Sequence, residues 1–211
     1  MLSRRIFRAG SGLSLFALLA LAGCNVIPPV QPDVTRYYVL SGPTIAPTPN
    51  QSTEGALQLG LRPVELAPYL RRGSLVVRAG DNEVAFANDQ RWAEPLEKEI
   101  GNALRQRLVA APTVMRVFVP PFPFEPARDF DVGVQVLHCE GAREGGRLVA
   151  RFAAIIEIST AGADAKVVTR KTFVAPEAAW DGKDFARLAS LLSDAVAALS
   201  QEVVSSLPEK K

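Results

Sequence analysis

The sequence predicts an α+β fold, in which a mixed, largely antiparallel sheet carries two main helices on one face. Apolar residues recur at helical spacing in two stretches, residues 92–108 and 185–203. The other segments are short, rich in β-branched and aromatic residues, and separated by glycine and proline, as is typical of strands. The order strands, helix, strands, helix favours helices packed on one side of a sheet.

The first 24 residues have the layout of a lipoprotein signal. Three arginines and no acidic residue accompany an apolar core, Leu13–Ala22, which is shorter than the ~20 residues that a bilayer span needs. Leu21-Ala22-Gly23-Cys24 resembles a bacterial lipobox, in which the cysteine thiol is acylated and the preceding bond is cut. We predict a signal peptide over residues 1–23, cleavage between Gly23 and Cys24, and lipid at Cys24. A plain secretory signal with a chance cysteine is the alternative.

The residue after Cys24 bears on the destination of the chain. In the usual sorting rule of Gram-negative lipoproteins, Asp at this position favours the inner membrane, whereas Asn25 allows export to the outer one. We therefore expect an outer-membrane lipoprotein that faces the periplasm, held firmly because it carries several acyl chains. Residues 24–34 read as a proline-containing tether. The segment Ser3–Arg8 also looks like a twin-arginine export signal, so the export route stays open.

Composition limits the class of protein. The precursor has 24 basic and 22 acidic residues, and without the signal it is close to neutral. No basic stripe with interleaved aromatic residues indicates nucleic-acid binding. The mature length suits a single domain, placed at residues 35–207, with a short tail at 208–211. With Cys24 acylated, Cys139 has no intramolecular partner, and we expect a buried, inert thiol there.

Strand and turn patterns precede the first helix. They predict a first strand over Thr35–Leu40 and a loop over Gly42–Gly55. A strand interrupted by Pro63 follows over Leu57–Leu66, and then a short turn or helix over Ala67–Arg72. Leu75–Arg78 and Glu83–Phe86 are predicted to form a hairpin around Gly80-Asp81-Asn82.

The first helix is predicted from an apolar stripe with four-residue spacing. The stripe consists of Trp92, Leu96, Ile100, Leu104 and Leu108. Pro95 is expected in the first turn, and the helix is expected to end at Ala110-Ala111-Pro112. The acidic residues Glu94, Glu97 and Glu99 are assigned to a solvated face.

A meander and a second helix complete the predicted domain. The strands are Met115–Val119, Asp131–Glu140, Leu148–Thr160 and Lys166–Ala175, with the second and third joined across Gly141–Arg147. From Asp184, a plausible cap, an apolar stripe predicts the last helix: Phe185, Leu188, Leu192, Val196, Leu199 and Val203.

The sequence offers little catalytic chemistry. His138, its one histidine, lies in a predicted strand, and its neighbour Cys139 would face the opposite side, so they cannot form a local Cys–His pair. No cluster has metal-ligand spacing, and no glycine-rich phosphate loop follows a strand. We therefore expect no catalytic residue, no metal, no cofactor and no enzyme activity.

Aromatic and arginine residues are the candidates for partner contact, because Trp, Tyr and Arg are enriched at interface hot spots. Core packing is the default for Trp92, which begins the predicted stripe, and partner contact is the alternative. Tyr37 and Tyr38 are strand neighbours and must face opposite sides. With Arg91, these residues make up the predicted interface.

Three stretches of the mature chain carry a family resemblance. Arg36–Leu40 contains Tyr-Tyr-x-Leu, Val64–Leu70 contains Leu-Ala-Pro-Tyr-Leu, and Asn88–Leu96 contains Arg-Trp-Ala-Glu-Pro-Leu. In these stretches the chain resembles the ABC-type transport auxiliary lipoproteins, the PqiC-like outer-membrane lipoproteins, whose first helix opens with the third motif. The resemblance covers nearly all of the mature chain.

The resemblance implies a partner and no reaction. It implies docking with an MCE-type lipid transport system, in which an MCE-domain protein and an inner-membrane ABC transport complex carry apolar molecules across the periplasm. A homo-oligomeric ring is a further expectation, because MCE assemblies are rings. The alternatives are a carrier that binds lipid in a groove beneath the last helix and a stand-alone structural envelope lipoprotein.

Overall fold

The computed structural model describes residues 32–41, 57–123 and 128–209. From Thr35 onward the chain forms one compact unit that extends to Lys211. The predicted signal peptide, the predicted acylation site Cys24, most of the predicted tether and the predicted loop Gly42–Gly55 lie outside the described residues.

The described chain is an α+β fold, as predicted. Its strands are β1 (Arg36–Tyr38), β2 (Leu57–Leu61), β3 (Glu65–Leu66), β4 (Ser74–Gly80), β5 (Glu83–Trp92), β6 (Val114–Phe118), β7 (Phe130–Glu144), β8 (Arg147–Thr160), β9 (Val167–Val174) and β10 (Ala178–Ala179). Its helices are the 3-10 helix Pro68–Arg72 and the two α-helices α1 (Leu96–Ala110) and α2 (Phe185–Ser205).

The longest strands, β7 and β8, form one hairpin inside the sheet. They pair antiparallel along their whole length, up to Glu144 opposite Arg147. The chain reverses through Gly145 and Gly146, whose φ angles of 55° and 81° lie in the left-handed region. Two such residues in succession form a type I′ turn, whose twist matches that of the flanking strands.

Three strands pair in succession with the edge of β7 that faces away from β8. β2 pairs with its beginning, β3 with its middle and β4 with its end, all in the parallel direction. Pro63 lies between β2 and β3, where it interrupts the ladder, as the sequence predicts. Farther out, β6 lies beside β2, β5 beside β4 and β1 beside β5, while β9 and β10 lie beside β8. The outermost strands are therefore β1, β6, β9 and the two-residue β10.

The hydrophobic core lies between the sheet and the two α-helices. The helical stripes are buried as the 3.6-residue period predicts; α2 packs on β7 and β8, and α1 packs against α2 and β6. The fully buried helical residues are Ile100, Leu104 and Leu108 in α1 and Leu188, Leu192, Val196, Leu199 and Val203 in α2. The Asp184 carboxylate caps α2 by accepting a hydrogen bond from the Arg187 N–H at 3.0 Å. Among the described residues, neither α-helix combines the length and apolarity that crossing a bilayer requires.

The predicted start of the first helix is wrong by one turn. β5 extends through Trp92, and α1 begins at Leu96 with Pro95 as its N-cap residue. Trp92 stays in the strand because its N–H donates to the Gly73 C=O at 2.8 Å and because β1 pairs with it. In addition, Pro95 disfavours the helical conformation at the residue before it. The four-residue spacing between Trp92 and Leu96 therefore joins residues of two different elements.

The predicted ends of the central hairpin are also wrong. The sequence placed Gly141 in the connection, but β7 continues to Glu144 and β8 begins at Arg147. Gly141 serves packing instead, because a Cβ there would come within 2.5 Å of the Trp180 ring. The glycine therefore makes room for an indole in the core.

We predict that the two turn glycines respond differently to substitution. Gly146→Val should lower the free energy of unfolding by about 1–3 kcal/mol, because a β-branched residue at φ 81° is strained. Gly145→Asn should change it by less than about 0.5 kcal/mol, since Asn-Gly is a preferred type I′ pair. Urea unfolding of both variants checks this, and equal losses would contradict the type I′ assignment.

Candidate partner interface

The residues predicted to contact a partner lie at one end of the sheet, where β1 meets the end of β5. β1 runs parallel to β5, with Tyr37 in register with Arg91 and Tyr38 in register with Trp92. The Ala93 N–H donates to the Tyr38 C=O at 2.8 Å, so the pairing continues toward α1. The fold thus brings the four predicted residues together on two adjacent strands.

These residues divide between the two faces of the sheet. Trp92 is 5% exposed and packs in the core, as the default interpretation held. Tyr38 is half-buried against the same core, and its hydroxyl donates to Gln90 Oε1. Tyr37 points the other way and is 62% exposed. Only Tyr37 and the half-exposed Arg91 are therefore placed to contact another molecule.

The outward side of this corner carries positive charge. The guanidinium of Arg91 donates to Ser74 Oγ at 3.4 Å and to the Arg72 C=O at 3.3 Å, both neutral acceptors. The Arg72 guanidinium lies 4.4 Å from the centre of the Phe86 ring. Among the described residues, neither arginine has a carboxylate within ion-pair distance. Beside the exposed Tyr37, this side chain set is typical of protein interfaces.

The chain that follows β1 is fastened to both α-helices. The Leu40 N–H donates to Glu99 Oε2 of α1 at 2.6 Å. The Ser41 N–H donates to Ser193 Oγ of α2 at 3.1 Å, and that hydroxyl donates in turn to the Ala189 C=O at 2.7 Å. Because a three-residue strand makes few ladder bonds, these two contacts help to hold the chain on the domain.

The predicted solvated position of Glu99 is wrong. Glu99 is 8% exposed, because it lies three residues after Leu96 and shares the buried face of α1. Burial raises the pKa of its carboxyl group above the ordinary value, and the hydrogen bond from Leu40 opposes this shift in part. The i, i+3 spacing was the available sequence signal. The role of Glu99 as acceptor for Leu40, 59 positions away in the chain, had none.

A second polar cluster lies on the sheet face that carries neither α-helix. Glu140 is fully buried and accepts a hydrogen bond from Arg78 Nε at 2.7 Å. His138 Nδ1 lies 3.2 Å from Glu140 Oε1 and 3.3 Å from the Tyr69 hydroxyl. The Tyr69 hydroxyl donates to the Leu137 C=O at 3.0 Å. The cluster therefore joins the 3-10 helix and β4 to β7.

The chemistry of this cluster is structural. Burial and the nearby Glu140 raise the pKa of Tyr69, while burial and the positive charge of Arg151 lower the pKa of His138. Both groups are therefore neutral at pH 7, and Arg78 balances the charge of Glu140. Cys139 lies in the core on the opposite face, and burial raises the pKa of its thiol. No activated nucleophile results from this arrangement.

The remaining predicted sites are placed as follows. Gly23 and Cys24 lie outside the described residues, so cleavage and acylation stay predictions. Within residues 32–41, 57–123 and 128–209, no three His, Cys, Asp or Glu side chains gather as metal ligands would.

Comparison with known families gives one match that spans most of the chain. The model of the family described as "ABC-type transport auxiliary lipoprotein component" matches residues 38–204. The match begins within β1 and ends in the last turn of α2. It therefore covers almost the whole folded unit. No curated protein matches the sequence significantly.

Two solved structures share the fold at low sequence identity, and a third is a more distant match. Protein XCC0632 from Xanthomonas campestris is 17% identical, with a TM-score of 0.67 over 81% of this chain and 93% of that chain. An uncharacterized protein is 18% identical, with a TM-score of 0.62 over 81% of this chain and 97% of that one. A PelC dodecamer from Paraburkholderia phytofirmans is 12% identical, with a TM-score of 0.41 over 78% of this chain and 92% of that one.

We predict that Glu99 makes stability depend on pH. Its pKa in the folded state is raised above 4.5, so the folded state holds the proton more tightly than the unfolded state. Its contribution is thus fully present below pH 4.5 and is lost as pH rises through the raised pKa. Glu99→Gln should remove this loss, so that the variant gains stability relative to wild type across that pH range.

Urea unfolding at several pH values measures this difference. The free energy of unfolding of the variant is subtracted from that of the wild type at each pH. The subtraction cancels the opposite contribution of His138, whose lowered pKa makes stability rise with pH below 6.5. Glu97→Gln on the same helix serves as the matched control. A Glu99→Gln difference that stays constant with pH would refute the assignment.

Proposed function

The chain belongs to the family of ABC-type transport auxiliary lipoprotein components, and from this premise we propose that it docks with an MCE-type lipid transport system from the outer membrane. The observation that carries the proposal is the extent of the match. Residues 38–204 take up nearly all of the compact unit Thr35–Lys211. The folded part is thus an auxiliary transport domain, and the family is not one of enzymes.

The proposed anchor is an acylated Cys24. Eleven residues, 24–34, separate the start of the anchor from the compact unit. At no more than ~3.6 Å per residue, such a tether reaches about 40 Å. The domain would thus stay close to the membrane that holds its lipid. Asn25 supports the outer membrane as this membrane, with the domain on the periplasmic side.

The proposed partner is an MCE-domain protein linked to an inner-membrane ABC transporter. We place the contact at the corner of β1 and β5, where the exposed Tyr37 lies beside the guanidinium of Arg91. Tyr38 and Trp92 support this corner from the core side. A homo-oligomeric ring of the lipoprotein belongs to the same proposal, because a ring of copies would match the symmetry of a ring-shaped partner.

Neither alternative function gains support. A lipid groove beneath the last helix would need an open apolar surface on α2. The stripe of α2 instead packs against the sheet, with Leu188, Leu199 and Val203 all at 0% exposure. No observation favours a purely structural envelope protein over a transport component.

We predict that a C-terminally tagged full-length protein captures an MCE-domain protein from gently solubilised envelopes in near-stoichiometric yield. Tyr37→Ala should weaken capture roughly tenfold, the effect of losing one aromatic anchor. Met115→Ala is the matched control, since Met115 is 43% exposed on β6, away from this corner. Mass spectrometry of the captured proteins checks both points. Recovery of unrelated envelope proteins alone, with MCE assemblies intact, would refute the docking proposal.

We predict that Cys24→Ala abolishes membrane anchoring, because no thiol remains to accept the lipid. The wild-type protein should require detergent for extraction, whereas the variant should leave the membrane fraction without it. Cys139→Ala should not change the fractionation, because that thiol is buried in the core. A Cys24→Ala protein that still requires detergent would contradict the lipobox assignment.

A further inference from the structure

The outer edge of β9 differs from the edges formed by β1 and β6. β1 has three residues, and β6 has five and is bracketed by Pro112 and Pro120. Short strands and flanking prolines are common means by which proteins protect an edge. β9 has eight residues, with a proline only after its end, at Pro176, and no described strand pairs with its outer side.

The side chains of β9 include several exposed apolar residues beside its two charged ones. Val167, Val168 and Val174 are 56%, 49% and 67% exposed. Exposed β-branched residues on a long edge favour the addition of another strand. Because protein edges are normally blunted, this combination indicates a surface that receives one.

The register of β9 identifies the main-chain groups that are free to pair. The Ala175 N–H donates to the Phe152 C=O of β8 at 3.0 Å. Since antiparallel pairs alternate, the N–H groups of residues 173, 171 and 169 also point toward β8. Those of Arg170, Thr172 and Val174 therefore point outward, to the side without a described partner.

The charged side chains beside this edge favour one kind of added strand. Glu157 is shared by two guanidinium groups, with Arg62 Nη2 at 2.9 Å and Arg170 Nε at 4.0 Å. Arg170 is thus only partly compensated, and its side chain is 63% exposed. Lys171 on the other face is paired with Glu202. The open side of the edge therefore has a surplus of positive charge.

The same charges disfavour a second copy as the added strand. Residues directly opposite each other in an antiparallel pair share a face, so two copies of β9 paired near their midpoints would place either the two Arg170 side chains or the two Lys171 side chains opposite each other. Like charges directly opposite each other destabilise a strand pair. The complementary occupant is a segment with an acidic side chain opposite Arg170 and apolar side chains on either side.

We propose that the outer edge of β9 binds an extended peptide segment of another protein, which adds to the sheet as a further strand. The outward main-chain groups of Arg170, Thr172 and Val174 supply the hydrogen bonds. Arg170 binds a carboxylate of the segment, and Val168 contacts an apolar residue two positions away on the same face. This site lies on the strand farthest in the sheet from β1 and does not depend on the identity of the transport partner.

A synthetic peptide serves as the probe. The blocked heptapeptide Thr-Val-Thr-Glu-Thr-Val-Thr places its glutamate and both valines on one face, and it reads the same in either direction. Residue-resolved hydrogen–deuterium exchange of the full-length protein in detergent gives the readout. Saturating peptide should slow the exchange of the amides of Arg170, Thr172 and Val174 at least tenfold. The inward amides of residues 169, 171 and 173 should exchange slowly with or without it.

Two variants test the main-chain and charge contributions separately. Thr172→Pro removes an outward N–H that β8 does not use, and it should weaken binding at least tenfold, whereas Thr172→Ala should retain it. Arg170→Glu leaves the main chain unchanged. It should weaken binding of the glutamate peptide and strengthen binding of the same peptide with a central lysine.

Several results would overturn the proposal. Outward amides that already exchange slowly without peptide would show that this chain or a second copy covers the edge. If a second copy covers it, the exchange rate depends on protein concentration; if this chain covers it, the rate does not. Unchanged exchange at millimolar peptide would exclude the site, and so would binding of the glutamate peptide by Thr172→Pro and Arg170→Glu that is as strong as binding by the wild type. Because no MCE-domain protein takes part, these outcomes are independent of the envelope capture.

Discussion

The structure depends on the antiparallel ladder between β7 and β8. Their fourteen register pairs close through a two-residue turn, so the longest ladder joins two segments that are adjacent in the chain. Its outer edges then serve as templates, with β2, β3 and β4 along β7 and with β9 and β10 along β8. A one-residue slip here would turn every side chain to the wrong face. The ladder therefore determines which residues form the core.

One irregularity within this ladder decides the character of the two faces. The register shifts between Val136 and His138, so the core side passes from Val136 to Cys139. His138 and Glu140 then point to the face without α-helices, where Arg78 and Tyr69 contact them. A buried ion pair contributes little net stability in itself, but removing one partner is costly. We infer that the cluster specifies how β4 and the 3-10 helix lie against β7.

The sequence predicted what depends on local pattern and missed what depends on distant contacts. The period of α2, its Asp184 cap and the break at Pro63 follow from neighbouring residues, and the structure contains each. Trp92 was assigned to the helix because its spacing fits one, whereas pairing with β1, more than 50 residues away, keeps it in a strand. The partners of Glu99 and Glu140 likewise lie 59 and 62 positions away, and no local rule identifies them. At the predicted interface, the sequence favoured core packing for Trp92, as observed, but it could not say which of Tyr37 and Tyr38 faces outward.

A protein that acts through its surfaces must make some of them available and keep others inactive. The addition of a further strand is limited by length and proline at β1 and β6, whereas at β9 it is limited by charge. Charge is the more selective device, because it opposes a second copy with the same arginine and lysine yet favours a segment with a carboxylate. The corner around Tyr37 uses the same combination, exposed apolar groups beside guanidinium groups without carboxylate partners among the described residues. Both proposed surfaces thus combine exposed apolar side chains with positive charge, a combination that can distinguish partners by charge.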